Sequence, residues 1–282
     1  MIGAIIVLYN PDFELLKNGL VALLPQVDKI CLIDNSSVDN SIEIPLCDKI
    51  NYIALLENKG IAVAQNIGIR YFEKAGYDCV LFSDQDSVAT ENVVKCLAQN
   101  YEQLSRSYNI AAIGPQPINR KTQKSYVKNS IIKETIKNDG ESYYKVYSIV
   151  SSFSLVKLST FQVVGYMEED LFIDGVDDEW CWRAYDKAKL DTFVVCGLHF
   201  SHFQGCDESV SYKKSTPFRT YYQFRNFIRL FNRRYVPRYW KLMNLVKFSV
   251  KTFYYPLFVS PRKAYLKAIY AGIKDGLRSK KQ

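Results

Sequence analysis

Short apolar runs alternate with stretches of helical periodicity through the first hundred residues of the chain. The runs at residues 2–8, 29–33, 51–55 and 79–82 have the length and composition of buried strands. Helical patterns lie between and after them, opening near residues 12, 58 and 90. Strands that alternate with helices in this way predict an α/β fold, a doubly wound sheet with right-handed connections.

The pattern changes after residue 110. Gly114-Pro115-Gln116-Pro117 predicts a break, and the polar stretch 119–141 predicts an exposed loop or hairpin. A strand over 143–150, a helix over 178–189 and a strand over 192–196 complete the expected α/β domain, residues 1–210. The change of pattern divides it into residues 1–110 and 111–210.

The composition narrows the class of protein. Hydrophobic residues make up 48% of the 282 residues and charged residues 23%, which is ordinary for a globular chain. Its seven cysteines are odd in number and include no Cys-x-x-Cys pair, which favours a reducing cytoplasm over a disulfide or zinc scaffold. The most apolar late stretch, 245–259, is interrupted by Lys247 and Lys251, so no membrane-spanning helix is expected.

The last 72 residues differ from the rest in charge. Residues 211–282 carry 18 Lys or Arg residues, 17 aromatic residues and a single acid, Asp275, for a net charge of +17. The preceding residues carry a net charge of −9. This basic, aromatic and helical extension either packs on the catalytic domain or lies on an anionic membrane surface. A nucleic-acid-binding surface is the non-enzyme alternative, but it gives the acidic residues described next no role.

Two acids follow the fourth predicted strand, as Asp84-Gln85-Asp86. The carboxyl ends of parallel strands are where α/β sheets bind ligands. Carboxylates this close repel one another unless a cation lies between them, and oxygen ligands suit Mg²⁺ or Mn²⁺. A solvated turn is the alternative, because Asp is common in turns.

Further candidates lie at Asp34, in an acidic segment and at the two histidines. Asp34 follows the second strand, where an acid accepts hydrogen bonds from a ribose or base or closes a turn. The segment 174–179 contains four acids between bulky apolar residues, which favours a buried carboxylate with a raised pKa. His199 and His202 are the only histidines of the chain. No Gly-x-Gly-x-x-Gly or P-loop motif is present, which argues against a dinucleotide dehydrogenase and a P-loop enzyme.

Together these motifs resemble family 2 glycosyltransferases of the GT-A fold. The resemblance is carried by Val7-Leu8-Tyr9-Asn10-Pro11, Asp34-Asn35-Ser36-Ser37, Asn58-Lys59-Gly60-Ile61-Ala62 with Asn66 and Gly68, and Ser83-Asp84-Gln85-Asp86. Residues 172–184, His202-Phe203-Gln204-Gly205 and Tyr221-Tyr222-Gln223-Phe224-Arg225-Asn226 are similar to a bacterial rhamnosyltransferase subgroup. The resemblance covers residues 2–230 and implies a Rossmann-like mixed sheet flanked by helices. It also implies that residues 1–210 are the catalytic domain, with 1–110 as its nucleotide-binding half and 111–210 as its acceptor-binding half.

The resemblance also implies roles for single residues. Asp84 approaches the nucleotide ribose, Asp86 binds a divalent metal (Mg²⁺ or Mn²⁺), and His202, with His199 as its rival, completes the metal site. Asp177 is the candidate catalytic base, with Asp174 and Glu179 as competitors because the family's usual Glu-Asp pair is Val176-Asp177 here. The remaining residues expected to bind the nucleotide sugar are Tyr9, Asn10, Asp34, Asn35, Asn58, Gly60 and Asn66.

The expected activity is inverting transfer of a sugar from a nucleotide diphosphate to a glycan or lipid-linked acceptor in bacterial cell-surface polysaccharide synthesis. L-Rhamnose from dTDP-L-rhamnose is the first expectation and a UDP-hexose the second. A nucleotidyltransferase, a nucleic-acid-binding protein and a non-catalytic sugar-binding module remain as alternatives. The expected location is cytoplasmic, with peripheral association at the inner membrane through residues 211–282, no nucleic-acid partner, and homodimer formation left open.

Overall fold

The computed structural model describes residues 1–45, 47–119, 125, 127, 129–138, 140–202 and 215–278. The strands are β1 (Ile2–Leu8), β2 (Lys29–Asp34), β3 (Ile50–Ala54), β4 (Cys79–Asp84), β5 (Ile110–Asn119), β6 (Ile132–Asn138), β7 (Glu141–Val146), β8 (Leu155–Lys157) and β9 (Asp191–His202). The helices are α1 (Phe13–Leu23), α2 (Ile61–Lys74), α3 (Val93–Leu104), α4 (Leu158–Val164), α5 (Val176–Ala188), α6 (Pro217–Phe231), α7 (Arg238–Phe258) and α8 (Arg262–Leu277).

The described strands form one mixed sheet in the order β3-β2-β1-β4-β8-β5-β9-β7-β6. Strands β1 to β4 run parallel, β8 runs against both β4 and β5, and β9 runs parallel to β5. The carboxyl ends of β1, β2, β4, β5 and β9 therefore share one edge. Helices cover both faces, each over its own apolar core. The predicted α/β mixed sheet is confirmed.

One predicted break is wrong. Strand β5 continues through Gly114-Pro115-Gln116-Pro117, where a loop was expected. Its pairing with β9 is irregular at this point, since Pro115 pairs with Val195 but Gln116 pairs with His199. Prolines are tolerated in strands at such irregularities, because no ladder hydrogen bond from their nitrogen is required there. The two prolines therefore mark a bulge within strand β5 and not its end.

Helix α6 packs into one of the apolar cores beside the sheet, although it lies in the basic extension. Its Leu230 is buried with Val176 and Trp180 of α5. Helix α8 lies against α6 at Gly272, where a Cβ atom would come within 2.6 Å of the Tyr221 carbonyl oxygen. The proposed boundary at residue 210 lies outside the described residues.

Helix α7 has two apolar faces. One packs against α6 and α8 through Phe248 and Tyr255. The other is exposed, and Phe253, for example, keeps 71% of its surface accessible. Among the helices that the structure describes, none is both long and apolar enough to cross a membrane.

A single amide on α6 holds the backbone of the acidic segment. Asn226 is buried, and its Nδ2 donates to the carbonyl oxygens of Leu171, Ile173 and Asp174 at 2.8, 2.7 and 3.0 Å. Asp174 adopts a left-handed backbone with φ of 66°, a conformation that costs a non-glycine residue about 1–3 kcal/mol. The Asn226 amide is thus a donor to the Ile173 and Asp174 carbonyls, and it shares the Leu171 carbonyl with the Ile173 backbone N–H.

Replacing Asn226 should destabilise the protein. We expect Asn226→Ala to lower the free energy of unfolding by about 1–3 kcal/mol, because it leaves buried carbonyl oxygens without a donor. Urea denaturation measures the change. Asn232→Ala, at the exposed end of the same helix, is the matched control. Equal stability of the two variants would contradict the role given to Asn226.

Candidate functional site

Two predicted acids, Asp34 and Asp84, end the two parallel strands that flank β1. In the strand register, Val7 pairs with Asp84 and Leu8 with Asp34, so both acids stand beside the end of β1. Tyr9 follows directly and keeps 50% of its surface exposed. The edge therefore places the half-buried Asp84 carboxylate beside an accessible aromatic ring, the kind of environment that suits a nucleotide.

The middle residue of Asp84-Gln85-Asp86 fixes the turn. The Gln85 side chain accepts from the Tyr9 backbone N–H at 2.8 Å and donates to the Tyr9 carbonyl at 3.3 Å. This reciprocal pair ties the turn after β4 to the end of β1. Asp84 and Asp86 on either side of Gln85 are half-buried. Sequence reasoning treated Gln85 as a spacer and missed this function.

Asp34 organises its loop. Its carboxylate is fully buried and accepts hydrogen bonds from the Ser36 backbone N–H at 2.9 Å and from Asn40 and Tyr52 at 2.7 Å each. These partners satisfy both carboxylate oxygens within the protein. Contact with the nucleotide base therefore stays a prediction for Asp34, whereas the structure gives it a role in shaping the edge.

The Asn35 and Asn58 side chains join the loops after β2 and β3. Asn35 donates to Asn58 at 2.9 Å and accepts from the Lys59 backbone N–H at 2.7 Å. Gly60 then has φ of +87°, and a Cβ atom there would lie 2.6 Å from the Phe172 ring. Gly60 is thus required for close approach of the acidic segment. Asn10 is also held at this edge, since its backbone N–H donates to Ser36 Oγ at 2.9 Å.

Asn66 is engaged away from the edge. It is buried in α2, donates to the Met167 carbonyl and to Glu169, and accepts from the Met167 backbone N–H. All three bonds attach α2 to the segment before the acidic residues. Its predicted contact with the nucleotide sugar is not tested by these bonds, but its side chain is already occupied.

Asp177 lies in the first turn of α5 and has an unusual acidity. Burial, followed by the negative charges of Asp178 and Asp84, raises the pKa of Asp177 to about 7. The Ser151 backbone N–H, which donates to Asp177 Oδ2 at 3.3 Å, acts in the opposite direction. Asp84 and Asp177 are therefore close enough to interact, although 93 positions separate them in the sequence. A carboxylate with this pKa is suited to accept a proton near neutral pH.

The segment around Ser151 physically connects the two acids. The Phe153 backbone N–H donates to the Phe82 carbonyl at 2.7 Å, and Phe82 donates to the Ser154 carbonyl at 2.9 Å. Ser152 Oγ lies 2.9 Å from Ser87 Oγ, just beyond Asp86. The same short segment thus attaches to the end of β4 and to Asp177. Its serines gave no recognisable motif in the sequence.

Asp178 is a second acid at this point, and the expected site did not include it. Burial raises the pKa of Asp178, and the Ser148 hydroxyl donates to its Oδ1 at 2.5 Å. Asp177 and Asp178 both line a cavity of about 280 Å³ with Ser152, Gly175 and the apolar Ile149. A carboxylate at the wall of a largely apolar cavity is a suitable place for a substrate hydroxyl.

The two competitors of Asp177 are bound to arginines. The single guanidinium group of Arg219 donates three hydrogen bonds to the carboxylate oxygens of Asp174, at 2.6 to 3.1 Å. Glu179 is fully buried and pairs with Arg183 at 2.8 Å and Arg233 at 3.1 Å. These bonds occupy the carboxylate oxygens of Asp174 and Glu179 within the protein. They give both acids a structural role, and Asp177 stays the candidate base.

The donor chemistry at Asp84 and Asp86 fits a hard divalent cation. Carboxylate oxygens are the ligands that Mg²⁺ and Mn²⁺ prefer, and a cation there would offset the charge that acts on Asp177. No group of three or more metal-ligating side chains occurs in the parts of the chain that the structure describes. This pair therefore suits an ion that also keeps water and substrate phosphates as ligands, as Mg²⁺ commonly does.

The histidines remain predictions as metal ligands. The backbone of His202 ends β9 opposite Asn119, and its side chain lies outside the described residues. His199 is exposed in the same strand. Strand β9 is three positions from β4 in the sheet, which corresponds to about 14 Å at the usual strand spacing.

Two solved structures share this fold. Residues 1–349 of S. aureus TarS in complex with UDP-GlcNAc match with a TM-score of 0.57 and 16% identity, over 97% of this chain and 81% of that one. GalNAc-T7 with UDP, GalNAc and Mn²⁺ matches with a TM-score of 0.59 and 13% identity, over 99% of this chain and 56% of that one. At these identities the similarity shows the fold alone, and it confirms the expected GT-A architecture.

Sequence comparisons identify the family. Residues 4–165 match the family described as glycosyl transferase family 2. The chain is 31% identical over 292 aligned residues to dTDP-rhamnosyl transferase RfbF of Shigella flexneri, covering 98% of this chain and 95% of that protein. It is 24% identical to the low-salt glycan biosynthesis hexosyltransferase Agl10 of Haloferax volcanii, over 80% of this chain and 73% of that protein. The resemblance to bacterial rhamnosyltransferases is thereby confirmed, and the chain belongs to glycosyltransferase family 2.

Proposed function

We propose that this glycosyltransferase transfers L-rhamnose from dTDP-L-rhamnose to a saccharide acceptor in the synthesis of a bacterial cell-surface polysaccharide such as O-antigen or capsule. The observation that carries the proposal is Asp177, a carboxylate of raised pKa at the wall of a cavity and within electrostatic reach of Asp84. The full-length similarity to a dTDP-rhamnosyl transferase supports the donor.

In the proposed reaction the acceptor hydroxyl lies in the cavity beside Asp177. Asp177 accepts the hydroxyl proton while the oxygen forms a bond to the anomeric carbon. The bond from that carbon to the diphosphate oxygen breaks, and its electron pair leaves with the nucleotide diphosphate. This single displacement inverts the anomeric configuration, through an oxocarbenium-like transition state as in glycoside hydrolysis.

Asp84 and Asp86 are the proposed holders of a divalent cation. When bound, such an ion supplies Lewis-acid neutralisation of the negative charge that develops on the diphosphate. Asp86, just beyond β4, is the proposed direct ligand, and Asp84 lies on the side of Asp177. Both belong to a turn that Gln85 holds in place against Tyr9.

Replacing the base should remove most turnover. We expect Asp177→Asn to lower kcat by about 10²–10⁴-fold, the usual contribution of a general base, with donor binding retained. In the unaltered protein, kcat/KM should fall as the pH is lowered through about 7, because protonated Asp177 accepts no proton. Release of dTDP from dTDP-L-rhamnose, measured against pH, checks both statements.

Stability should change in the opposite sense to activity. Folded Asp177 holds its proton more tightly than the unfolded chain does, so ionisation lowers the free energy of unfolding as the pH rises from about 4 through 7. Asn does not ionise, so Asp177→Asn should be more stable than the unaltered protein at pH 8, with a smaller difference at pH 4. Full activity in Asp177→Asn would reject Asp177 as the base.

The metal role of Asp86 has a binding test. We expect Asp86→Ala to weaken the Mn²⁺-dependent binding of dTDP by at least about tenfold, because it removes a ligand of the ion. Calorimetric titration of dTDP with and without Mn²⁺ measures the effect. Asp48→Ala, which removes an exposed acid elsewhere, is the control. Equal Mn²⁺ dependence in both variants would rule out Asp86 as a ligand.

Products separate the remaining alternatives. Glycosyl transfer releases a nucleoside diphosphate, whereas nucleotidyl transfer releases pyrophosphate. Comparing dTDP-L-rhamnose with UDP-glucose, UDP-galactose and UDP-N-acetylhexosamines identifies the donor by hydrolysis and by thermal stabilisation. A UDP-hexose as the better donor would correct the sugar but keep the reaction class.

The exposed face of α7 supports peripheral membrane association as part of the proposal. Apolar side chains follow one another along this face, with 46–71% of their surfaces exposed: Leu242, Met243, Leu245, Val246, Val250, Phe253, Tyr254, Leu257 and Phe258. Helices α7 and α8 also carry exposed basic residues, among them Lys247 and Lys263. An exposed apolar face on basic helices fits the anionic cytoplasmic surface of the inner membrane, where a lipid-linked acceptor is located.

Acidic substitutions on this face should reduce membrane binding. In flotation with phosphatidylglycerol–phosphatidylethanolamine vesicles, we expect Val246→Asp with Phe253→Asp to leave most of the protein unbound, because the carboxylates oppose insertion and anionic lipid. Ile42→Asp is the control, since Ile42 is 91% exposed on the catalytic domain. Undiminished flotation would refute the proposal. Loss of a dimer in light scattering, without any change in flotation, would instead assign the face to a second copy of the chain.

A further inference from the structure

A second, larger cavity opens on another side of helix α5. It has a volume of about 620 Å³ and lies between the β6–β7 hairpin, α5 and the connection from α6 to α7. Aromatic side chains form much of its wall: Tyr147, Trp182, Tyr185, Tyr235 and Tyr239. Its volume is within the usual range of ligand sites, and it shares no lining residue with the cavity at Asp177.

One buried polar atom at this cavity has no polar partner among the described residues. It is the donor Nε1 of Trp182, whose residue is 3% exposed. Asp191 Oδ1 also accepts no hydrogen bond there, but it forms an ion pair with Lys133 Nζ at 3.5 Å. Buried polar groups are rarely left unsatisfied, since this costs stability. A ligand oxygen that reaches the indole would satisfy the Trp182 donor.

The charges of the cavity are largely paired. Asp191 binds Lys145 at 2.6 Å and faces Lys133 with its second oxygen. Lys133 Nζ also lies 4.2 Å from the centre of the Tyr185 ring and 4.9 Å from that of Tyr147, so the two rings share its charge. Arg238 and Glu134 also line the cavity, so three cations stand beside two carboxylates. This near balance of charge favours a neutral polar ligand over a phosphate.

The cavity is adjacent to the proposed reaction centre. Tyr147 precedes Ser148, whose hydroxyl binds Asp178 at the wall of the smaller cavity. Trp182 and Tyr185 follow Asp178 by four and seven positions on the same helix, which corresponds to about 6 and 10 Å along its axis. The two cavities therefore lie along the same helix, the smaller at its first turn and the larger at its later turns.

We propose that this aromatic cavity is a second saccharide subsite, which holds one sugar of the acceptor chain while a neighbouring sugar presents its hydroxyl to Asp177. A sugar ring has a C–H face that packs on aromatic rings and hydroxyl groups that both donate and accept. These groups match the rings, the Trp182 donor and the Asp191 acceptor. The inference rests on the proposed function, and it adds that the acceptor contains at least two linked sugars.

The test uses the full chain and short oligosaccharides of one to four sugars, some of them containing rhamnose. Tyr185 is 45% exposed, so Tyr185→Ala removes a ring without opening the core. We expect this variant to bind oligosaccharides about tenfold more weakly in titrations followed by nuclear magnetic resonance. Tyr185→Phe keeps the ring and should bind within about twofold of the unaltered protein. Trp182→Phe, which removes the indole donor, should weaken binding as well.

Donor hydrolysis separates this inference from the proposed function. All three variants should release dTDP from dTDP-L-rhamnose to water at the unaltered rate, because the cavity does not contact the donor edge. Absence of hydrolysis in the unaltered protein would count against the proposed reaction, whereas the titrations report the subsite independently. The subsite is overturned if Tyr185→Ala binds the oligosaccharides with the same affinity as the unaltered protein. Binding of inorganic phosphate that Lys133→Ala abolishes, without saccharide binding, would also overturn it and assign an anion site.

Discussion

Repulsion between carboxylates is the constraint on which this site depends. Asp84 and Asp178 both raise the pKa of Asp177, and Asp86 stands one residue from Asp84 in the sequence. Such an arrangement lowers stability unless other contacts hold the acids together. Burial, together with this repulsion, raises the pKa of Asp177 to about 7, and the Asp84–Asp86 turn has the donor chemistry that suits a cation. The proposed base and the proposed metal site thus share the same negative charge, and the fold must supply the energy that keeps these groups adjacent.

The contacts that oppose this repulsion come from one short segment, residues 151–154, and from helix α6. Residues 151–154 attach the end of β4 to Asp177 by backbone hydrogen bonds, so the distance between the acids is set by the main chain. Asn226 of α6 holds the carbonyls immediately before α5, and Phe172 stacks on Tyr222 of the same helix with ring centres 4.5 Å apart. The acidic segment is therefore positioned from outside itself. A helix in the basic extension thus supports this segment.

The sequence predicted the elements better than it predicted their contacts. Apolar runs located β1, β2 and β4, and strand ends located Asp34 and Asp84, because both signals are local. Whether Asp34 faces a ligand or its own loop depends on Tyr52, which lies on another strand. The choice between Asp177 and Glu179 as candidate base likewise depends on Arg233, which binds Glu179 from 54 positions away in the sequence. Pro115 and Pro117 predicted a break because the bulge that accommodates them depends on pairing with β9, which the local sequence does not show.

Helix α6 connects the chemistry to the proposed location of the acceptor. One of its faces supports the strained acidic segment, and another packs on α7 and α8, whose outer surfaces carry the exposed apolar and basic residues. Because α8 approaches α6 too closely at Gly272 to allow a side chain, the two helices form a rigid support. A membrane bound to α7 would thus have a fixed orientation relative to Asp177. An acceptor that extends from the bilayer would then meet the proposed base at a fixed distance from the membrane surface. The aromatic cavity beside α5 would hold one of its sugars while the next one reaches Asp177.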